Sequence, residues 1–120
     1  MDRVNPGNGP VDVPTDEDRG IAPWMEGRAE KVSAFLKAMS HEGRLTILCH
    51  LAGGEKSVTE LEGLLGQRQA AVSQQLARLR LEGLVRTRRD GKTIFYALLD
   101  TRVMGLLRLL PVLFGVPDAS

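Results

Sequence analysis

Residues 57–83 constrain the fold most, because they hold two short amphipathic helices joined by a tight turn. The four residues from Ser57 to Glu60 have the Ser-x-x-Glu form of a capping box, in which each side chain accepts a hydrogen bond from an amide at the helix start. This pattern begins a helix predicted over 58–65, and Gly66 supplies the turn that follows.

The second helix of this segment is predicted over 69–82, and Gly83 ends it. Its buried stripe has helical spacing and consists of Val72, Leu76 and Leu79. Two helices joined by a turn of about four residues predict a helix-turn-helix, in which the second helix enters the major groove of DNA.

An alternating pattern over 84–98 follows the second helix and predicts a β-hairpin. The dipeptide Asp90-Gly91 lies between two β-prone runs. A type I′ turn needs positive φ at both central residues, and these two residue types tolerate it. A hairpin directly after a helix-turn-helix is the wing of a winged helix-turn-helix.

Two further helices are predicted ahead of this segment. Apolar residues recur with helical spacing over 32–39 and again over 45–51. Gly53-Gly54 ends the second run, because glycine tolerates the left-handed conformations found at helix ends.

One more helix is predicted after the hairpin, with Thr101 as its cap and an end or a kink at Pro111. This helix is apolar on too many sides to be solvated in a monomer, so it predicts dimerisation. The predicted fold is mainly α with a β-hairpin wing, in the order α-α-α-α-β-β-α, and homodimeric.

The chain is predicted to form one domain with two tails. Residues 1–23 are expected to be a disordered or mobile N-terminal tail, because they are rich in Pro and Gly and have no hydrophobic period. The winged domain is expected over 24–114, and residues 115–120 form a C-terminal tail.

Charge is segregated along the chain, although its net value is only +1. Residues 67–92 carry seven basic side chains against Glu82 and Asp90, whereas residues 1–30 carry seven acids against three Arg. A clustered basic segment is typical of a protein that binds a phosphate backbone, because each contact releases condensed counterions. An ordinary solvated face is the alternative.

The polar positions of the second helix are the candidates for reading base edges. Gln can pair bidentately with adenine, Ser can donate to a base or a phosphate, and Arg can read guanine or bind phosphate. A polar helix exterior is again the alternative. The predicted DNA-binding residues of this helix and the turn before it are Gln67, Arg68, Gln69, Ser73, Gln74, Gln75 and Arg78.

The wing adds four basic candidates: Arg86, Arg88, Arg89 and Lys92. Their expected contacts are to phosphate or the minor groove, which add affinity and salt dependence more than sequence discrimination. Because side chains alternate along a strand, Arg86 and Arg88 share one face and Arg89 lies on the other. The four therefore do not all reach DNA at once.

Several classes of protein are excluded by what the sequence lacks. No apolar run reaches the length of a membrane span, and the first residues do not resemble a secretory signal, so a cytoplasmic protein is expected. No Cys/His cluster, phosphate loop or nucleophile with a base is visible, so no metal, cofactor or enzymatic activity is predicted. The single cysteine, Cys49, cannot form a disulfide within the chain.

Three stretches together resemble the ArsR/SmtB repressors. They run from Phe35 to Cys49, from Ala70 to Arg80 and from Gly91 to Tyr96, and their order and spacing agree with the family over about residues 30–110. The resemblance implies a winged-helix homodimer that binds double-stranded operator DNA until an inducer releases it.

Within that family the chain resembles the branch that responds to sulfide, persulfide or oxidants, since that branch keeps a sensing thiol in the helix that holds Cys49. The resemblance implies a reactive sulfur species or an oxidant as inducer. The branch places its second thiol near Gly115, where this chain has no sulfur. Cys49 is therefore predicted either to be modified alone or to be a small buried apolar residue.

Metal sensing is not expected, because His41 and His50 do not by themselves make a tetrahedral site. Two other functions stay open at this point. One is a repressor that responds to a noncovalent ligand or acts constitutively, and the other is a winged-helix adaptor whose basic wing binds an acidic protein surface.

Overall fold

A computed structural model describes residues 13–115, in which six α-helices accompany one small antiparallel sheet. The helices are α1 (Ile21–Met25), α2 (Ala29–Met39), α3 (Glu42–Leu51), α4 (Val58–Leu65), α5 (Gln69–Leu81) and α6 (Thr101–Phe114). The strands are β1 (Lys56–Ser57), β2 (Val85–Asp90) and β3 (Thr93–Leu98), in the sheet order β1-β3-β2. The predicted winged architecture is confirmed, with α1 and β1 as additions.

Part of the segment predicted to be a tail is helical. A 3-10 turn at Asp18–Gly20 leads into α1, so the predicted boundary at residue 23 falls inside a helix. Pro23 fits there because amides in the first turn need no partner within the helix. The rest of both predicted tails, residues 1–12 and 116–120, lies outside the described part of the chain.

The core is aliphatic and lies where α3, α4, α5 and α6 pack together with one face of the sheet. The predicted stripe of α5 is fully buried. The largest fully buried side chains are Ile47, Leu48, Leu61, Val72, Leu76, Leu79, Leu84, Val85 and Val103. One side of α5 is thereby held in the core, which leaves its opposite side to solvent.

The ends of α4 are as predicted. Ser57 Oγ accepts a hydrogen bond from the Glu60 amide at 3.1 Å, and Glu60 Oε1 accepts one from the Ser57 amide at 2.8 Å. Gly66 ends the helix in the left-handed conformation, with φ of +65°. Gly83 has φ of +78° just after α5. These local interactions determine where α4 begins and ends and where α5 stops.

The predicted N-cap of α6 is wrong, and the helix does not end at Pro111. Asp100, not Thr101, is the N-cap, and its carboxylate accepts a hydrogen bond from the Arg102 amide at 2.9 Å. The helix continues through Pro111 to Phe114. Proline has a helical φ and removes one hydrogen bond, and near the end of a helix that loss does not stop it.

The turn of the hairpin is shifted by one residue from the prediction. Asp90 pairs with Thr93, so the two turn residues are Gly91 and Lys92. Gly91 has φ of +64°, and no non-glycine residue between 13 and 115 has positive φ, which excludes a type I′ turn. Glycine at the first central position fits type II′. The register follows the burial of Val85, which lies opposite Leu98.

Candidate nucleic-acid interface

The exposed side of α5 lies opposite its buried stripe. With 3.6 residues per turn, Ala70, Gln74, Ala77 and Arg78 come together on this side. All four are exposed. Ala70 and Ala77 are small, so a partner can come close to the helix backbone beside Gln74 and Arg78. This face can therefore be inserted into a groove.

Arg78 has a partner on its own helix. Its Nε donates a hydrogen bond to Glu82 Oε2 at 3.0 Å, and 47% of the Arg78 side chain remains exposed. An exposed pair of this kind contributes about 0–1 kcal/mol. Arg78 can therefore leave Glu82 for a base or a phosphate at small cost.

The other predicted residues of α5 have different surroundings. Gln75 is partly buried and points to the start of α3, since its Nε2 lies 3.4 Å from where a Cβ on Gly43 would be. Ser73 is also partly buried, on the opposite flank of the helix. The structure brings Gln74 and Arg78 together and turns Gln75 towards the protein.

A polar cleft lies where the tip of the wing meets the starts of α4 and α5. Its volume is about 220 Å³, and its lining includes Thr59, Gln69, Lys92 and Thr93. The start of α5, whose N-cap Arg68 makes no side-chain cap hydrogen bond, and a lysine both favour an anion. Gln67 and Arg68, just before α5, are exposed beside it. The cleft has the chemistry of a phosphate-binding surface.

Arg88 differs from the other basic residues of the wing. Its Nε donates a hydrogen bond to Glu55 Oε2 at 3.2 Å, and its Nη2 contacts Glu55 Oε1, which makes a bidentate ion pair. Its guanidinium lies over the Phe95 ring, 4.6 Å from the centroid. Arg86, Arg89 and Lys92 are exposed, and none makes a salt bridge within residues 13–115.

Glu55 was not predicted as a functional residue. The hydrogen bond from Arg88 holds the pKa of Glu55 below its usual range, against a smaller opposing effect of desolvation. No sequence signal could have found this pair, because 33 positions separate its members and Glu55 lies in no motif.

Cys49 is exposed on α3, so within this chain it is not the small buried apolar residue offered as an alternative. Partial desolvation raises the pKa of its thiol. Gly115, the position near which the resemblance places the branch's second thiol, is the residue after α6. In the part of the chain that the structure describes, no three His, Cys, Asp or Glu side chains are grouped to hold a metal ion.

No helix within residues 13–115 combines the length and the hydrophobicity needed to cross a membrane.

Comparison with known proteins places these features in context. A family model described as bacterial regulatory protein, arsR family, matches residues 41–87. The biofilm growth-associated repressor of Agrobacterium fabrum is 43% identical over 111 residues, which is 92% of this chain and 95% of that protein. The transcriptional activator HlyU of Vibrio cholerae is 47% identical over 90 residues, which is 75% of this chain and 83% of that protein.

The fold also matches solved structures. The crystal structure of the transcriptional repressor BigR from Xylella fastidiosa superposes with a TM-score of 0.76 at 43% identity, over 80% of this chain and 98% of that one. Reduced HlyU from Vibrio cholerae gives a TM-score of 0.71 at 46% identity, over 77% and 97% of the two chains.

Proposed function

This chain belongs to the ArsR family of bacterial regulatory proteins, and from that we propose that it is a homodimeric repressor that binds operator DNA. It is a transcriptional regulator and not an enzyme. The observation that carries the proposal is the exposed face of α5, where Gln74 and Arg78 lie beside two alanines. Binding to a chromosomal operator would place the protein in the cytoplasm.

In this proposal Gln74 and Arg78 read base edges in the major groove, and Gln69 enters the groove at the start of α5. Ser73 and Gln75 flank them and support the orientation of the helix. Phosphate contacts come from the exposed cations and amides around the cleft and the wing. These are Gln67, Arg68, Arg86, Arg89 and Lys92.

Dimerisation through α2 and α6 would present two copies of α5 to one duplex. Arg102 of α6 lies over the ring of Phe35 of α2, 4.6 Å from the centroid, so the two helices meet at this point. Exposed apolar side chains on the same two helices favour a protein partner. They are Leu36, Leu109, Val112, Leu113 and Phe114. A two-fold axis would set the two α5 helices about 34–36 Å apart, on successive major grooves.

The relatives that are named repressors favour a role in repression. A protein that occupies an operator within a promoter represses transcription because it excludes other proteins from that site.

We propose modification of Cys49 by reactive sulfur or an oxidant as the event that releases the protein from DNA. The Cys49 thiolate would attack one sulfur of a disulfide or polysulfide, the S–S bond would break, and the other part would leave as a thiolate from a disulfide or as a hydrosulfide or shorter polysulfide anion from a polysulfide. Support comes from the exposure of the thiol. Its raised pKa makes the attack slow at neutral pH.

Selection of bound duplexes from a random library tests the main proposal, followed by fluorescence anisotropy on the selected site. Arg78→Ala is expected to weaken binding by about 1–3 kcal/mol, or roughly fivefold to 150-fold, and to relax base preference at one position. Arg19→Ala removes the same charge from an exposed site far from α5 along the chain and serves as the control. Equal losses in both variants, or no selected sequence, would favour an adaptor that binds an acidic protein.

Release is tested with glutathione disulfide or an inorganic polysulfide on the bound complex. If the reagent releases the wild-type protein from DNA and Cys49→Ser stays bound, thiol modification is supported. Release in both proteins would point to a noncovalent ligand, and retention in both to a constitutive repressor.

A further inference from the structure

We propose that Arg88 is a positioning residue, anchored by Glu55, that fixes the wing against the helix-turn-helix and does not itself contact DNA. This inference rests on the proposed DNA-binding function. Arg88 differs from the other basic residues of the wing because its guanidinium already binds Glu55.

The contact joins two parts of the chain that no hydrogen bond of the sheet connects. The strand order is β1-β3-β2, so β2 pairs with β3 and has no direct pairing with β1. Glu55 directly precedes β1, and Arg88 lies on β2. Two strand spacings amount to roughly 9.5 Å, a distance that an arginine and a glutamate side chain can span together.

Arg88 crosses the central strand over an aromatic ring. In the sheet register Arg88 lies opposite Phe95, and Phe95 lies opposite Ser57. Residues directly opposite each other present their side chains on the same face of the sheet. Arg88, Phe95 and Ser57 therefore form one row, which runs from the wing to the N-cap of α4. The ring of Phe95 supports the guanidinium from below, and the bidentate contact with Glu55 fixes its rotation.

The position of this row in the sheet explains why one contact can orient the wing. β1 has only two residues, and its pairing ends at Ser57 opposite Phe95. Beyond this row the hairpin continues to its tip as two strands, and an isolated two-stranded hairpin is only marginally stable in water. The Glu55–Arg88 pair lies at the boundary, where it sets the direction in which Arg89 and Lys92 leave the domain.

The pair also removes Arg88 from the charge available to phosphate. Glu55 neutralises it, and Asp90 Oδ2 lies 4.0 Å from its Nη1. A phosphate could replace Glu55 on Nε and Nη2 only by breaking the bidentate pair, which would leave Glu55 close to the DNA, where its charge repels the backbone. Among the described residues Arg86, Arg89 and Lys92 make no salt bridge, although the charge of Arg86 also lowers the pKa of Glu55.

The test compares two substitutions that change charge in opposite directions. Glu55→Gln removes a negative charge and Arg88→Gln removes a positive one. If the pair positions the wing, both weaken operator binding by a similar factor, on the order of threefold to tenfold, and the double variant is no weaker than either single one. Arg88→Lys also weakens binding, because lysine keeps the charge and loses the planar fork.

Salt dependence separates this role from a phosphate contact. Each phosphate contact contributes about 0.9 to the slope of log affinity against log salt concentration. Arg89→Gln, the matched control, is expected to lower the slope by about this amount, whereas Glu55→Gln and Arg88→Gln leave it unchanged. Tighter binding by Glu55→Gln, or a slope for Arg88→Gln that falls as far as that of Arg89→Gln, would overturn the proposal.

A second measurement needs no DNA. Amide hydrogen exchange over 86–97 should become faster in Glu55→Gln and Arg88→Gln than in the wild type and in Arg89→Gln, with α5 still protected. Unchanged exchange in the wing would overturn the positioning role even if DNA binding behaved as expected. If the wild type shows no sequence-selective binding, the proposed function fails, and the exchange experiment still decides whether the pair holds the wing.

Discussion

Arg78 in the last turn of α5 and Glu82, the residue that caps the end of this helix, form an ion pair with 3.0 Å between Nε and Oε2. The pair holds the guanidinium of a proposed base-reading residue on its own helix. Glu82 therefore competes with DNA for Arg78, and the two functions of this arginine can be separated experimentally.

Glu82→Gln is expected to tighten operator binding, by no more than about fivefold, because an exposed ion pair contributes about 0–1 kcal/mol. Fluorescence anisotropy at fixed salt measures this. Glu30→Gln makes the same charge change on α2 and controls for the general field of the protein. Equal tightening in both variants would show that net charge, and not release of Arg78, is responsible.

Gly91→Ala is expected to destabilise the wing by about 1 kcal/mol, because Gly91 has φ of +64° and an L side chain is strained there. A Cβ would meet no atom within 4 Å, so the cost comes from the backbone alone. Hydrogen exchange over the hairpin measures the effect.

Gly63→Ala is the matched control, since Gly63 lies within α4 and a Cβ there also has open space. This change should stabilise the protein by roughly 0.4–1 kcal/mol in denaturant unfolding. The interpretation of the turn would fail if Gly91→Ala were as well tolerated as Gly63→Ala.

Asp100→Ala is expected to cost about 0.5–2 kcal/mol of stability at neutral pH, because Asp100 caps α6. Thr101→Ala should cost much less, although the sequence suggested Thr101 as the cap. Urea unfolding at one fixed protein concentration measures both, since the stability of a dimer depends on concentration.

The effect of Asp100→Ala should depend on pH. The Arg102 side chain lowers the pKa of Asp100 in the folded protein, so this carboxylate stabilises the fold above its unfolded pKa of about 4. The stabilisation is lost as the pH falls through the lower, folded pKa. A difference between wild type and Asp100→Ala that persists unchanged at the lowest pH would contradict this assignment.

Alkylation of Cys49 by iodoacetamide should have a midpoint above the free-thiol value of about pH 8.5, because desolvation raises the pKa of this thiol. The pH dependence of the rate measures the midpoint, and the same protein unfolded in urea provides the reference. A midpoint below that of the unfolded chain would mean that an activating group acts on Cys49 in the folded protein.

The local features of the fold follow from the sequence by itself. The capping box of Ser57 and Glu60, the left-handed Gly66 and the buried stripe of α5 all depend on residues within one or two turns of each other. Such interactions can be recognised from spacing alone. They determined the helix-turn-helix, and with it the face that carries Gln74 and Arg78.

Tertiary structure decided the rest, because it depends on contacts between residues that are distant in the chain. Burial of Val85 opposite Leu98 set the register of the hairpin and moved its turn from Asp90-Gly91 to Gly91-Lys92. The short strand β1 brought Glu55 to Arg88, although 33 positions separate them in the chain. Strand alternation could assign Arg88 to a face, but only the packed sheet determined which group would bind it, since that partner comes from a different segment of the chain.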